Sequence, residues 1–226
     1  INLGAFIFPL ILVPILKAYS YSYIFIMAAV GTGWLLLLNL IVYKEPDKPK
    51  SSKKLFEVLQ GAILVLKDFR FILMIVIYSG FWILYFQMFD TVLWYFKDYV
   101  DPTPINNAIN SFLGIFISNP NWHFDVEHVT VINAGTIIAL QIFISSIVKK
   151  RKALPTMITG IGIGSIGMGI LAISSHPFIF IAGIIIFSIG EMTAHPKFIS
   201  YVGLIAPEDK KATYLGYSFL YGVLGS

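Results

Sequence analysis

The feature that most constrains the fold of this chain is a carboxylate in the middle of a long apolar segment. Glu191 lies near the centre of the run from Phe178 to Ala206, which reads FIFIAGIIIFSIGEMTAHPKFISYVGLIA. A run of this length spans a bilayer as a helix, and a carboxylate in hydrocarbon costs roughly 3 kcal/mol or more. We therefore expect Glu191 to face the interior of a helical bundle or a water-filled cavity, where such groups handle protons, ions or substrates. The alternative is a protonated or paired Glu that only ties helices together.

The composition indicates a membrane protein, because 57% of the residues are hydrophobic and 12% are charged, against roughly 25% charged residues in a soluble domain. The absence of cysteine excludes disulfides and thiolate metal sites. The net charge of +4 does not indicate a nucleic-acid partner, because the basic residues cluster in short loops between apolar runs. We expect the chain to be a fragment, since Ile1 and Ser226 both lie within apolar runs.

Apolar runs long enough to cross a bilayer predict an all-α polytopic membrane protein, a helical bundle that is incomplete at both ends. The predicted spans are 1–17, 21–43, 69–98, 126–148, 154–174, 178–205 and 212–226. Gly160, Gly162, Gly164, Gly167 and Gly169 are expected to allow close packing of the fifth span, since small residues let membrane helices approach.

The charges of the loops predict the orientation of the spans. Basic residues concentrate in 44–54 and in the KKRK loop 149–152, and 207–211 is short and mixed. These loops fall on one side if the spans alternate, and the opposite side is poor in Lys and Arg. The positive-inside rule then places 44–68, 149–153 and 207–211 in the cytoplasm.

The segment 44–68 is predicted to divide two bundles, 1–43 and 69–226. Its first part is rich in Pro, Ser and Lys, as in an extended linker, and its second part reads LFEVLQGAILVLKD. That second part is predicted to be an amphipathic helix lying on the inner membrane face or on the bundle. The apolar stripe of this helix is expected to consist of Leu55, Val58, Leu59 and Ile63.

On the opposite side, the stretch 99–125 contains the sequence INNAINSFLGIF, which is compatible with a short surface helix. His123 and His128 lie near Asp125 and Glu127. Two His residues five positions apart in a polar loop are weak evidence for a metal site, and no metal is predicted.

The few polar residues inside spans are the candidates for chemistry. Gln87, Asp90 and Trp94 follow an i, i+3, i+7 spacing and are predicted to share the cavity-side face of one helix. The equally weighted alternative is that Asp90 lies near the external surface and is simply hydrated. Asn133 and Gln141, two turns apart, are predicted to lie near one face of the next span.

Glu191 and His195 are four residues apart and are predicted to share a face as a proton pair or as two metal ligands. The His-Glu-x-x-His pattern of zinc hydrolases is absent. Pro196 is expected to favour a kink, and a kinked helix with a polar centre is common at transporter binding sites. Pro196 and the neighbouring Lys197 are expected to act in gating or packing.

Four stretches resemble one family of membrane proteins. They are INLGA (1–5), SGFWILYFQ (79–87), VINAGTII (131–138) and GEMTAHPKFISYVGLIAP (190–207). These stretches are similar to the fifth, seventh, eighth and tenth helices of the proton-coupled oligopeptide transporters, within the major facilitator superfamily. The resemblance implies spans five to eleven of twelve.

The resemblance also implies roles for single residues. Asn2 and Asn133 match positions that contact the peptide backbone or termini, and Glu191 matches the acid that holds the peptide amino group. Phe86 stands where the family has a Glu that takes part in proton coupling and gating. That departure leaves the coupling route and the substrate open, and Asp90, one turn later, is the candidate to replace the missing carboxylate.

The leading hypothesis is a secondary active transporter that takes up di- and tripeptides or similar zwitterions with protons, by rocking two bundles around a central site. The predicted substrate-binding residues are Asn2, Gln87, Trp94, Asn133 and Glu191, and the proton-coupling candidates are Asp90, Glu191 and His195. A monomer without cofactor in the plasma membrane is expected. The alternatives are a facilitator of a sugar, drug or organic ion, an intramembrane metal enzyme using Glu191, His195 and His128, and a receptor or scaffold.

Overall fold

The computed structural model describes residues 2–44 and 55–226, and every regular element within these ranges is helical. The first range holds α1 (Asn2–Ile7), a π-helical turn (Phe8–Leu12), α2 (Val13–Tyr19) and α3 (Tyr21–Val42). The second range begins with α4 (Leu55–Leu66), α5 (Phe69–Gln87), α6 (Thr91–Tyr99) and α7 (Thr103–Leu113). It continues with α8 (Glu127–Lys149), α9 (Ala153–Ile173), α10 (Pro177–Ile205), a 3₁₀ turn (Glu208–Lys210), α11 (Lys211–Ser218) and α12 (Leu220–Gly225).

Six stretches of the described residues are long and apolar enough to cross a membrane, which confirms the all-α polytopic fold. They are Asn2–Tyr19, Tyr21–Val42, Phe69–Tyr99, Glu127–Lys149, Ala153–Ile173 and Pro177–Ile205. The predicted seventh span, 212–226, is instead divided at Phe219 into α11 and α12. The N–H of Gly222 bonds to the carbonyl of Phe219 only three residues back, at 3.0 Å. This tighter turn interrupts the α-helical spacing.

Two spans predicted as continuous helices contain local irregularities. The first has a π-helical turn between α1 and α2, where Val13 N–H bonds to the Phe8 carbonyl and Pro14 offers no N–H of its own. The second is broken by a turn at residues 88–90, where Asp90 adopts φ −129° and ψ −91°. The predicted span 69–98 is confirmed by the apolar stretch Phe69–Tyr99, but within it α5 and α6 are separate helices that follow each other.

Helices α9 and α10 pack with their backbones almost in contact. A Cβ atom added to Gly160 would lie 2.5 Å from the backbone nitrogen of Ala194, and one added to Gly190 would lie 2.7 Å from the carbonyl oxygen of Gly160. At Gly167 an added Cβ would collide with the backbone of Phe187. The predicted packing role is thus confirmed for part of the glycine set, because Gly164 also receives the ring of Phe81 from α5.

The two remaining glycines of that set do not take part in this contact. Gly162 and Gly169 have no atom within 4 Å of an added Cβ, so the prediction was wrong for these two positions. They lie on the outer side of α9, since residues two positions from a contact residue point to the other side of a helix.

The loops predicted to lie on one membrane side meet at one end of the bundle, here called the basic end. Lys197 Nζ donates to the Arg151 carbonyl at 2.7 Å, and Tyr214 Oη donates to Asp68 Oδ2 at 2.8 Å. The opposite end carries the connection between α2 and α3 and the stretch 100–126. In that stretch α7 is the predicted surface helix, and the side chain of Asn110 holds Trp122 through hydrogen bonds of 2.8 and 2.9 Å.

Helix α4 confirms that the second half of 44–68 is helical, whereas 45–54 lies outside the described residues. Within α4, Val65 is fully buried and Ala62 is nearly so, but Ile63 is 52% exposed. Ile63 therefore lies outside the face that packs against α5 and α11, toward which the helix turns Ala62 and Val65. The other three residues of the predicted stripe fall among side chains that are not described. The division into two bundles stays a prediction.

Candidate functional site

The polar site at the middle of α10 joins three side chains from two helices. Asn133 of α8 donates through its single amide nitrogen to Ser188 Oγ at 2.9 Å and to Glu191 Oε2 at 3.2 Å. Ser188 and Glu191 lie three residues apart and therefore on one face of α10. Asn133 is buried, Ser188 is fully buried and Glu191 is half-buried.

The direction of these hydrogen bonds is set by the serine. Ser188 Oγ donates to the carbonyl of Ile184 at 2.8 Å, so its oxygen is left to accept from Asn133. The Asn133 nitrogen therefore faces Glu191 as a hydrogen-bond donor. Within the described part of the chain, Glu191 Oε1 has no hydrogen-bond partner. The arrangement is thus a carboxylate held by one oxygen, with the other available to a cationic ligand or a proton.

His195 reaches a different helix from the one that Glu191 reaches. Its Nδ1 lies 3.1 Å from Tyr78 Oη of α5, and its ring meets the rings of Trp82 and Tyr221 edge-on at 5.6 and 6.1 Å. Glu191 points to α8 instead. The predicted direct pair of Glu191 and His195 is therefore not formed, because Glu191 is hydrogen-bonded to Asn133 of α8 and His195 to Tyr78 of α5.

The predicted stripe of Gln87, Asp90 and Trp94 is divided by the turn at 88–90. Gln87 ends α5, where its side-chain carbonyl accepts from the hydroxyl of Thr91. Asp90 precedes α6 and is exposed, and Trp94 is 58% exposed. The prediction that these three residues share a face assumed an unbroken helix. The turn changes the direction of the backbone, so the i, i+3, i+7 spacing no longer places them on one face. Asp90 and Trp94 nevertheless line one cavity, and Gln87 is not among its lining residues.

That cavity, of about 430 Å³, lies at the opposite end from the basic end. It is bordered by Lys17 of α2, whose Nζ lies 3.0 Å from Glu127 Oε1 and 3.4 Å from Asp125 Oδ2. These ion pairs connect the N-terminal helices to the start of α8. Asp90 therefore lies in a partly charged, open vestibule, which favours the alternative of a hydrated Asp90.

Asn2 is exposed at the start of α1. An added Cβ on Gly135 would lie 2.9 Å from the ring of Phe6, so α1 packs against α8 there. The two segments run antiparallel, because Lys17 meets the beginning of α8. This direction places Asn2 nearer the basic end than Asn133 and does not bring the two amides together.

Pro196 and Lys197 lie one turn beyond the polar site. Helix α10 continues through Pro196. The Lys197 side chain is buried, and its Nζ donates to the carbonyls of Lys149 at 3.3 Å and Arg151 at 2.7 Å. The ammonium thus binds the Lys149 carbonyl, which the end of α8 leaves without a helical partner, and the Arg151 carbonyl in the loop beyond it. Lys197 therefore fixes the loop between α8 and α9.

The described residues contain no group of three or more His, Asp or Glu side chains able to hold a metal ion. His128 is buried, and its Nδ1 accepts from the backbone N–H of Asp125 at 2.9 Å. It lies at the start of α8, at the end where Lys17 contacts Glu127, whereas Glu191 and His195 lie along α10. The three residues named for the enzyme alternative are thus spread over the bundle.

Three residues that form the contacts described above were not among the site residues predicted from the sequence. Ser188 carried a signal, because it lies one turn before Glu191 on the same face. Tyr78 and Lys17 carried none that a single sequence offers, since their partners lie far away along the chain.

Comparison with known families agrees with this architecture of spans around a central polar site. A family model described as Major Facilitator Superfamily matches residues 1–226. Searches of curated proteins and of solved structures gave no significant match. The match covers the whole sequence, and the chain therefore belongs to the Major Facilitator Superfamily of membrane transporters.

Proposed function

We propose that this transporter takes up small zwitterionic solutes, such as di- and tripeptides, together with protons, and that Glu191 holds the amino group of the solute. The observation that carries the proposal is the Glu191 carboxylate, fixed by Asn133 at 3.2 Å. An ammonium group pairs strongly with a carboxylate in a medium of low dielectric constant. The same carboxylate can bind a proton when the solute has left, which links the two ligands at one site.

The other predicted residues have different roles in this proposal. Asn133 orients Glu191 and offers its amide to the solute backbone. His195, hydrogen-bonded to Tyr78 at 3.1 Å, is the second candidate for proton coupling. Asp90 and Trp94 line the entrance cavity and would meet the solute first. Asn2 lies nearer the basic end than Asn133, and Gln87 is hydrogen-bonded to Thr91, so both would contact solute only after the bundles move.

Alternating access requires that contacts between bundles open and close. The ion pairs of Lys17 with Asp125 and Glu127 join the two segments at the end opposite the basic end, and they can break and re-form as the bundles move. With the basic end in the cytoplasm, as the positive-inside rule favours, this link closes the external side. We propose a monomer in the plasma membrane, with segments 1–43 and 69–226 as the moving bodies.

The test is uptake of a labelled dipeptide by the protein in liposomes, with and without an inward proton gradient. We expect accumulation driven by the gradient, and its loss in Glu191→Gln, which keeps the size of the side chain and removes its charge. The matched control is Glu208→Gln, because Glu208 is an exposed residue whose carboxylate lies 3.8 Å from Lys211 Nζ, outside the polar site.

Normal transport by folded Glu191→Gln would refute the role of this residue. No dipeptide uptake by the folded wild type would remove peptides as the substrate. A competition panel of sugars, drugs and organic ions would then identify the solute class. The assignment to the superfamily does not depend on that result.

A further inference from the structure

A second cavity, of about 510 Å³, opens between α8 and α9 at the basic end. Its walls are formed by Ile144 and Ile147 of α8 and by Pro155 and Ile163 of α9. Ile189 and Thr193 of α10 form its floor. We propose that this groove binds one acyl chain of an anionic phospholipid, with the lipid phosphate held by Arg151 and Lys152.

The groove is separate from the polar site. Its floor residues Ile189 and Thr193 lie two positions before and after Glu191, which puts them on the opposite side of α10. On the outer side of α8 and α9, large apolar side chains point away from the protein, such as Ile142 at 84% and Ile158 at 58% exposure. Such a surface is the one that a membrane helix turns to lipid.

Two of the threonines that line the groove already donate their hydroxyl hydrogens to carbonyls of their own helices. Thr159 Oγ1 donates to the Pro155 carbonyl at 2.9 Å, and Thr193 Oγ1 donates to the Ile189 carbonyl at 2.8 Å. Their methyl groups and the neighbouring isoleucines leave a surface that suits a hydrocarbon chain. A polar solute would lose its hydration there against a lining that is mainly isoleucine, valine and proline.

The mouth of the groove carries positive charge. Arg151 and Lys152 line it, and no acidic residue of the described chain does. Lys197 holds the carbonyls on either side of this loop, at Lys149 and Arg151, so the two cations are carried on a fixed backbone. Basic pockets between membrane helices are suited to anionic lipid head groups.

The length of the groove matches one leaflet. Ile163 lies about 16 Å along α9 from Lys152, at 1.5 Å per residue. The hydrocarbon core of a bilayer is about 30 Å thick, so the groove extends to about the bilayer midplane. A chain anchored by its phosphate at Arg151 and Lys152 would fill it.

Native mass spectrometry of the intact protein, titrated with phosphatidylglycerol against a phosphatidylcholine background, measures this binding. We expect one phosphatidylglycerol to be retained in preference to phosphatidylcholine. Arg151→Gln with Lys152→Gln should weaken that binding roughly 25-fold, from about fivefold for each cation at the membrane surface. Lys149→Gln with Lys150→Gln is the matched control, because it removes two charges from the same loop outside the groove lining.

A second pair of variants tests the groove itself while keeping all four cations. Thr159→Trp should fill the groove and abolish the preference, whereas Ile158→Trp, on the adjacent exposed position, should leave it intact. Equal weakening by the two charge variants, or full retention by folded Thr159→Trp, would overturn the proposal. So would equal competition by glycerol phosphate, which indicates a phosphate site without a chain, or a lipid-independent dimer, which indicates that a second copy fills the groove.

Discussion

Helices α3 and α10 are both strongly apolar spans, yet they are packed in opposite ways. Of the most apolar stretch of α10, 56% is buried in the protein, whereas none of the corresponding stretch of α3 is. Both helices contain glycine. Gly190 of α10 faces the backbone of α9, whereas Gly31 and Gly33 of α3 have no atom within 4 Å of an added Cβ.

This difference shows that small residues permit close helix packing but do not by themselves produce it. Lipid is as apolar as a leucine side chain, so burial of apolar surface does not drive two membrane helices together. Packing and interhelical hydrogen bonds remain, and both require complementary positions on two helices. Helix α10 has them with α9 through Gly160 and Gly167, and with α8 through Asn133.

The largest effect is expected when the glycine contact is filled. Gly167→Leu places a side chain against the backbone of Phe187, which cannot move without separating α9 from α10. We expect a loss of about 3 kcal/mol or more, because overpacking costs roughly 1–3 kcal/mol even where side chains can adjust. Thermal unfolding in detergent measures it.

The controls for that variant are Gly169→Leu in the same helix and Gly33→Leu in α3, both of which have open space at the added Cβ. They should unfold close to the wild-type temperature. Equal destabilisation by Gly169→Leu would contradict the packing explanation.

A smaller effect is expected from the buried cation that joins α10 to the end of α8. Lys197→Met keeps the apolar length of the side chain and leaves the carbonyls of Lys149 and Arg151 without their donor. An unsatisfied buried polar group costs about 1–3 kcal/mol. The unfolding temperature should fall, and Lys197→Arg should restore part of the loss. The exposed Lys150→Met is the control, and a decrease of equal size there would argue against the specific contact.

The smallest effect is expected where the N-terminal helices meet α8 through charge. The ion pair of Lys17 with Glu127 is part-exposed, so its coupling energy should be under about 1 kcal/mol and should decrease with salt. A double-mutant cycle of Lys17→Met and Glu127→Gln measures it. Coupling above about 2 kcal/mol, unaffected by salt, would mean that the N-terminal region is attached as firmly as α9 is to α10.

Much of the helical architecture could be predicted from the sequence. The span predicted at 178–205 is α10 at Pro177–Ile205, and the one at 154–174 is α9 at Ala153–Ile173. The turn at 88–90 and the break at Phe219 were not predicted. Both interrupt uniformly apolar sequence, where hydropathy does not distinguish a helix from a short turn.

The candidate site was only partly predictable. Glu191 and Asn133 stood out because polar residues are rare in apolar runs, and the structure joins them at 3.2 Å. The pairing of Glu191 with His195 was inferred from spacing along one helix. The neighbouring helices separate the two residues, since His195 is hydrogen-bonded to Tyr78 and Glu191 to Asn133.

The sequence by itself determined that this chain is a set of membrane helices with a carboxylate that needs a polar neighbour. These are properties of single segments, because the free energy of placing a residue in lipid depends mainly on that residue and its depth. Only the tertiary structure decided which glycines touch, which loop Lys197 holds and where a groove remains between α8 and α9. Those are properties of pairs of segments, and they depend on interatomic distances between residues that lie far apart along the chain.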